Sequence, residues 1–124
     1  MPSTRVCKKT VDELKEIFNL RDWKVSYKIS RAKKSDCLGC VYVEPEYKKA
    51  CITIFPEIIK REGDGETPFR VLVHEFAEIV MSEYINTLPA RLRTTDEMME
   101  YRDRCADHLM RIVLDLLRLL HYPV

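Results

Sequence analysis

Three ionisable side chains interrupt an otherwise apolar run, Val71-Leu72-Val73-His74-Glu75-Phe76-Ala77-Glu78-Ile79-Val80-Met81. On a helix, His74 and Glu78 stand at i and i+4, one turn apart on a single face, and Glu75 projects about 100° round from His74. A helix presents two ligands to a divalent metal in this way, with a carboxylate beside them able to take a proton from water attacking a carbonyl. The familiar pattern is His-Glu-x-x-His. Glu78 replaces its second histidine; it can ligate through oxygen, but it makes the set harder and more anionic, which brings manganese and iron(II) into consideration beside zinc. The competing explanation is a buried polar network, a hydrogen-bonded histidine with two carboxylates paired to basic residues such as Arg70 or Arg104. Unpaired charges on an apolar helix are costly, so a cluster of three requires a cation, a shared proton or contact with water.

Thiols are the other candidates. Cys37-Leu38-Gly39-Cys40 is half of a thiolate metal site or a redox dithiol, and Cys7 or Cys51 could complete it. No second Cys-x-x-Cys exists and no βαβ unit flanks the pair; Cys40 and Cys51 serve equally well as small residues in paired strands. Five cysteines at irregular spacing do not make a secreted disulfide framework, so reduced thiols are expected.

The elements that must position these residues follow from pattern. Thr10-Val11-Asp12-Glu13 reads as a capping box opening an amphipathic helix over about 10–20, after a frayed, basic terminus over 1–9. Trp23 to Ile29 alternates with period two, as a half-buried strand does. Arg31 to Asp36 reads as a solvated connection. Cys40–Glu44 and Ala50–Phe55 are β-rich runs separated by Pro45-Glu46-Tyr47-Lys48-Lys49, an antiparallel hairpin with a longer loop. After a helical turn at 57–60 and an acidic loop at 62–66, Thr67 as N-cap and Pro68 at N1 open a buried helix over about 67–86. Pro89 breaks the chain. Thr94-Thr95-Asp96-Glu97 then caps a last helix over about 95–120, with Met98, Tyr101, Cys105, Leu109, Ile112, Leu116 and Leu119 as its apolar stripe. The expectation is one α+β domain spanning 1–124, with a three-stranded, mainly antiparallel sheet. If Cys105 marks the core-facing side of the last helix, Glu97 and His108 lie closer to that side than Glu100, and both are candidates for a third ligand. His121 reads as an exposed bystander, and Met98 and Met99 as core filling.

Composition excludes several partners. Lys+Arg (21) nearly balances Asp+Glu (20), so no net charge draws the chain to nucleic acid or an anionic membrane. No run of about 18 apolar residues and no signal-peptide core is present, which leads us to expect a cytoplasmic protein.

The layout as a whole resembles the small phage and prophage zincin-like metallopeptidases, related in layout to ImmA/IrrE and SprT-type proteins. The resemblance spans roughly residues 10–120. It is carried by Val-Glu-Pro-Glu-Tyr-Lys-Lys-Ala-Cys-Ile-Thr-Ile (43–54), similar to that family's hairpin, and by Leu-Val-His-Glu-Phe-Ala-Glu-Ile-Val (72–80), similar to its active-site helix. It implies a zinc peptidase acting on a peptide or protein, with His74 as first ligand, Glu75 as general base and a histidine expected at position 78. It also implies a third ligand from a glutamate early in the following helix, for which Glu100 is at a comparable distance. Two readings stand side by side: a metal-dependent peptidase in which His74 and Glu78 hold the ion and an extended peptide adds to an edge strand, and a non-enzymatic protein-binding domain on the same fold.

Overall fold

The computed structural model describes residues 4–93, 95–122 and 124. Helix α1 (Lys8–Ile17) leads to strand β1 (Lys24–Ile29), followed by β2 (Gly39–Glu44), a 3-10 turn (Pro45–Tyr47) and β3 (Lys49–Ile54). Helices α2 (Pro56–Glu62), α3 (Pro68–Ile85), α4 (Ala90–Arg93) and α5 (Asp96–Leu119) complete the chain. The architecture is α+β. No helix among the described residues is long and apolar enough to cross a membrane.

The sheet is mixed rather than mainly antiparallel. Its order is β1-β3-β2: β2 and β3 form the expected antiparallel hairpin, but β1 pairs parallel to β3, from Lys24 opposite Lys49 to Ile29 opposite Ile54. A period of two is common to both pairings, so alternation along β1 fixed its faces without fixing its direction. Because β3 lies between β1 and β2, the 30–38 connection must cross from one edge of the sheet to the other over the end of β3. It is tied there by Ser30 N donating to Ile54 O (2.9 Å) and Phe55 N donating to Leu38 O (3.1 Å). This crossing brings Cys37 to the end of the sheet.

Helix α1 begins before the expected cap. Cys7 is the N-cap and Thr10 lies within the first turn, buried, with its hydroxyl donating to Arg5 O and in contact with Cys7 Sγ. Lys8 and Lys9 belong to this helix, and Val6 packs against the core. The turn expected at 57–60 is a two-turn helix, α2, which buries Ile58 and Ile59.

Helix α3 starts as its sequence specifies: Thr67 Oγ1 accepts from Arg70 N (3.2 Å) and Pro68 takes N1, where no N–H is required. It buries Phe69, Leu72, Val73, Phe76 and Ile79 against the sheet and α5, each worth about 1.5–3 kcal/mol of transfer free energy. At the site end it approaches β2 closely; a Cβ on Gly39 would fall 2.6 Å from Val71 Cγ1.

Helix α5 is rotated relative to expectation. Thr95 caps it, accepting from Met98 N (3.2 Å), and Thr94 lies outside the described residues. The residues it buries are Ala106, Met110, Val113, Leu114 and Leu117, whereas Tyr101, Ile112, Leu116 and Leu119 of the expected stripe are exposed. The inward face therefore lies about 120° round the helix from Cys105. Met98 is half-buried and Met99 exposed. The tail returns to the body: Tyr122 stacks on Phe69 (5.7 Å between ring centres) and its hydroxyl donates to Glu13 Oε2, while His121 is exposed.

Candidate metal centre

Helical spacing does at α3 what the sequence required of it. His74 Nε2 and Glu78 Oε1 are 3.7 Å apart, an ion-pair distance rather than a hydrogen bond. One donor atom from each of His74, Glu75 and Glu78 lies within 4.8 Å of the others, and this is the only such trio of His, Cys, Asp and Glu among the described residues. Glu75 is the deepest, 4% exposed, and its Oε2 is buried with no hydrogen-bond partner. Two donors on a tetrahedral centre with bonds of about 2.1 Å lie about 3.4 Å apart, so the His74–Glu78 spacing is close to that of a shared metal. The donor set and the orphaned carboxylate oxygen fit a divalent cation.

The cluster opens on a cavity of about 270 Å³. Helix α3 contributes Val71, His74 and Glu75, its approach contributes Glu66, the crossing loop and β2 contribute Cys37, Leu38 and Gly39, and α5 contributes Asp107 and Met110. Ionisable groups thus come from every side, His74 and Glu75 from α3, Glu66 from its approach, Cys37 from the loop and Asp107 from α5, with Leu38, Val71 and Met110 as the apolar part of the lining.

Electrostatics divide the two glutamates. Burial, reinforced by the neighbouring Glu78 charge, pushes Glu75 up to about 9, so it holds a proton at neutral pH. Burial also acts to raise Glu78, but His74, Asp103 and the proton on Glu75 outweigh it and hold Glu78 down at about 2. The Glu78 carboxylate in turn raises His74 against the opposing effect of burial, and Asp107 and Asp103 add to that rise. Asp103 is raised by burial and by its contact with Glu78.

The face of α5 turned to this cluster differs from the one expected. Glu97, Glu100 and His108 are all exposed, and none joins the trio. By helical angle Glu97 and His108 lie nearly opposite the buried face and Glu100 roughly a right angle from it. His108 instead lines an apolar groove on the outer side of α3, with Val80, Met81, Tyr84 and Cys105. Arg102, Asp103 and Asp107 stand over the site. Arg102 Nη2 is 4.0 Å from Glu78 Oε1 and 3.6 Å from Asp103 Oδ1. Of the basic residues suggested as partners, Arg70 pairs with Glu66 (3.4 Å) and Arg104 borders the outer groove. The signal that could have found the α5 residues was the spacing 103, 106, 110, 113, 117, with alanine and methionine among its members in place of the bulkier outer stripe.

All five cysteines are free, and no thiol trio of metal spacing occurs among the described residues. Cys40, on β2, is raised by burial and by the nearby Cys37, with Thr53 as a hydrogen-bonding neighbour. Cys7 contacts Thr10 instead, on the first turn of α1. No protein-family model matches the chain, and neither a curated protein nor a solved structure matches it.

Proposed function

We propose that the protein is a metal-dependent peptidase of zincin type, in which His74 and Glu78 ligate the ion and Glu75 manages the proton. The observation that carries this reading is the buried, unpartnered Oε2 of Glu75 on the same cavity wall as His74, within a donor group 4.8 Å across. A divalent ion there would supply a Lewis acid for the scissile carbonyl and a more acidic attacking water. It would also offset the two features that raise Glu75, its burial and the charge of Glu78, and so lower Glu75 into the range of a general base. Glu75 would then take a proton on its carboxylate and return it to the leaving amine. Helix α5 offers Asp103 beside Glu78 and Asp107 beside the cavity as further oxygen donors. Zinc is the ion the family resemblance implies, and the oxygen-rich set also suits manganese or iron(II).

The sheet supports a route for the substrate. Strand β2 is an edge, and it begins at Gly39 on the cavity wall, so a peptide extended along its free edge would run into the site. Incubating the metal-loaded protein with a broad peptide library tests the reading. Cleavage by wild type that falls at least about 100-fold in Glu75→Gln is expected; wild type and Glu75→Gln equally inactive with metal bound would reject hydrolysis.

One observation favours a second reading, a protein-binding domain that needs no ion. Arg102 already places a guanidinium 4.0 Å from Glu78 and, with a proton on Glu75, gives the carboxylates internal counter-charges. In that case wild type purified with no metal would keep its fold and bind none on titration.

A further inference from the structure

The cavity has a second wall, and it carries sulfur. Resting on the metal reading above, we propose that Cys37 supplies a thiolate to the ion held by His74 and Glu78, making a mixed nitrogen, oxygen and sulfur centre that selects zinc over manganese.

Cys37 lines the same cavity as His74 and Glu75, and among the described residues that line it Glu75 Oε2 is the buried side-chain polar atom without a partner. The thiol stands near enough for its charge to be felt by Glu75 and by Cys40. Cys37 N donates to Ser35 Oγ (3.2 Å), Sγ lies 3.4 Å from the same hydroxyl, and the thiol also reaches that of Cys40. The side chain is exposed rather than packed in the core, so turning it towards His74 breaks no core contact. Its backbone is carried by the crossing loop, which is pinned at both ends over β3 by the Ser30 and Leu38 hydrogen bonds. The loop therefore keeps Cys37 on the cavity wall but outside the 4.8 Å trio of His74, Glu75 and Glu78, so ligation requires its side chain to turn inward.

The chemistry accounts for the odd member of the set. Replacing the expected histidine by Glu78 hardens the site, and a thiolate restores the softness that favours zinc, as three protein ligands with an open fourth position. On binding, the Cys37 S–H bond breaks, its proton goes to solvent and a sulfur–metal bond forms. Cys40 is the control that separates the two sulfurs: it neighbours Cys37, Thr53 and Glu75 but does not line the cavity.

Cobalt(II) reports the sulfur directly. Titrated anaerobically into the reduced full-length protein, one equivalent should bind with a thiolate-to-cobalt charge-transfer band in the near ultraviolet. The band should persist in Cys40→Ser and vanish in Cys37→Ser and in His74→Ala. Zinc affinity should fall at least about tenfold in Cys37→Ser with manganese affinity little changed, and an unaltered melting temperature of that variant would show that it folds. One equivalent of cobalt bound without the band, or a band that survives Cys37→Ser, overturns the Cys37 assignment and leaves the metal reading of α3 standing. A band indifferent to His74→Ala places the thiol in a separate site and overturns it too, and failure to bind cobalt at all overturns both.

Discussion

Glu75 and Glu78, three residues apart on α3, share one proton unequally: burial keeps it on Glu75, while His74 and Asp103 keep Glu78 ionised. This asymmetry gives the metal-free protein an unusual dependence on pH. Between its unfolded value near 4.5 and its folded value near 9, Glu75 binds a proton in the native state that the unfolded chain has released, so stability falls as pH rises through that window. His74, also raised, adds a loss above its unfolded value of 6.5. Glu78 acts oppositely and only in acid, contributing stability that is lost as pH falls from about 4.5 towards 2. Metal-free wild type should therefore be most stable near pH 5 and lose on the order of 4 kcal/mol by pH 8. Glu75→Gln, a permanent mimic of the protonated form, should flatten most of that slope and be the more stable protein at pH 8. Thermal melts across pH 4–9 in chelator check this, and a wild type that gains stability between pH 5 and 8 contradicts it.

Position 78 departs from the familiar two-histidine pattern, and the His74–Glu78 separation of 3.7 Å suits either donor. Glu78→His should raise zinc affinity about 10-fold or more and weaken manganese binding. It also takes one of the two carboxylate partners of Arg102, leaving Asp103, so the metal-free variant should melt lower than wild type. Calorimetric titration with both ions reads the first effect and a melt in chelator the second.

Gly39 fixes how closely β2 approaches α3 beside the cavity. Gly39→Ala puts a methyl 2.6 Å from Val71 Cγ1 and 3.1 Å from Thr53 O, a clash expected to cost about 1–3 kcal/mol. Val71→Ala removes the first of those contacts, so the double variant should be less destabilised than the sum of the single ones. Urea melts of all four proteins measure the coupling, and strict additivity would show that the helix does not bear on Gly39.

The rotation of α5 is open to test by truncation. Met110, almost fully buried, should cost about 2–3 kcal/mol on Met110→Ala, whereas Leu116, 53% exposed, should cost about 0.5 kcal/mol or less on Leu116→Ala. A reversed order would place the expected outer stripe inward and return Glu97 and His108 to the site.

What the sequence disclosed, and what it withheld, divides along the range of the forces involved. Local chemistry was legible: Thr67 and Pro68 start α3 where their capping roles require, the β2–β3 hairpin follows from its two β-rich runs, and His74 meets Glu78 because i and i+4 always do. Non-local choices were not. Nothing along β1 encodes that its partner is β3 and that the two run parallel. Helix α5 is apolar on two sides, and the larger side chains of the outer stripe outweighed Ala106 and Met110 in a reading by pattern, although these are the residues that pack. That single misorientation moved attention to Glu97 and His108 and away from Asp103 and Asp107, while Glu100 came from the family resemblance. The nearness of Cys37 to Glu75 depends on the sheet order, and so was invisible in the same way.

The central claim is that α3 holds a divalent ion through His74 and Glu78. Its most direct test is the metal content of protein purified without added zinc, by elemental analysis of wild type, His74→Ala and Glu75→Gln. The account predicts close to one equivalent in wild type, retained in Glu75→Gln and lost in His74→Ala. A wild type that carries no metal and takes up none on titration, or metal that persists undiminished in His74→Ala, would contradict it.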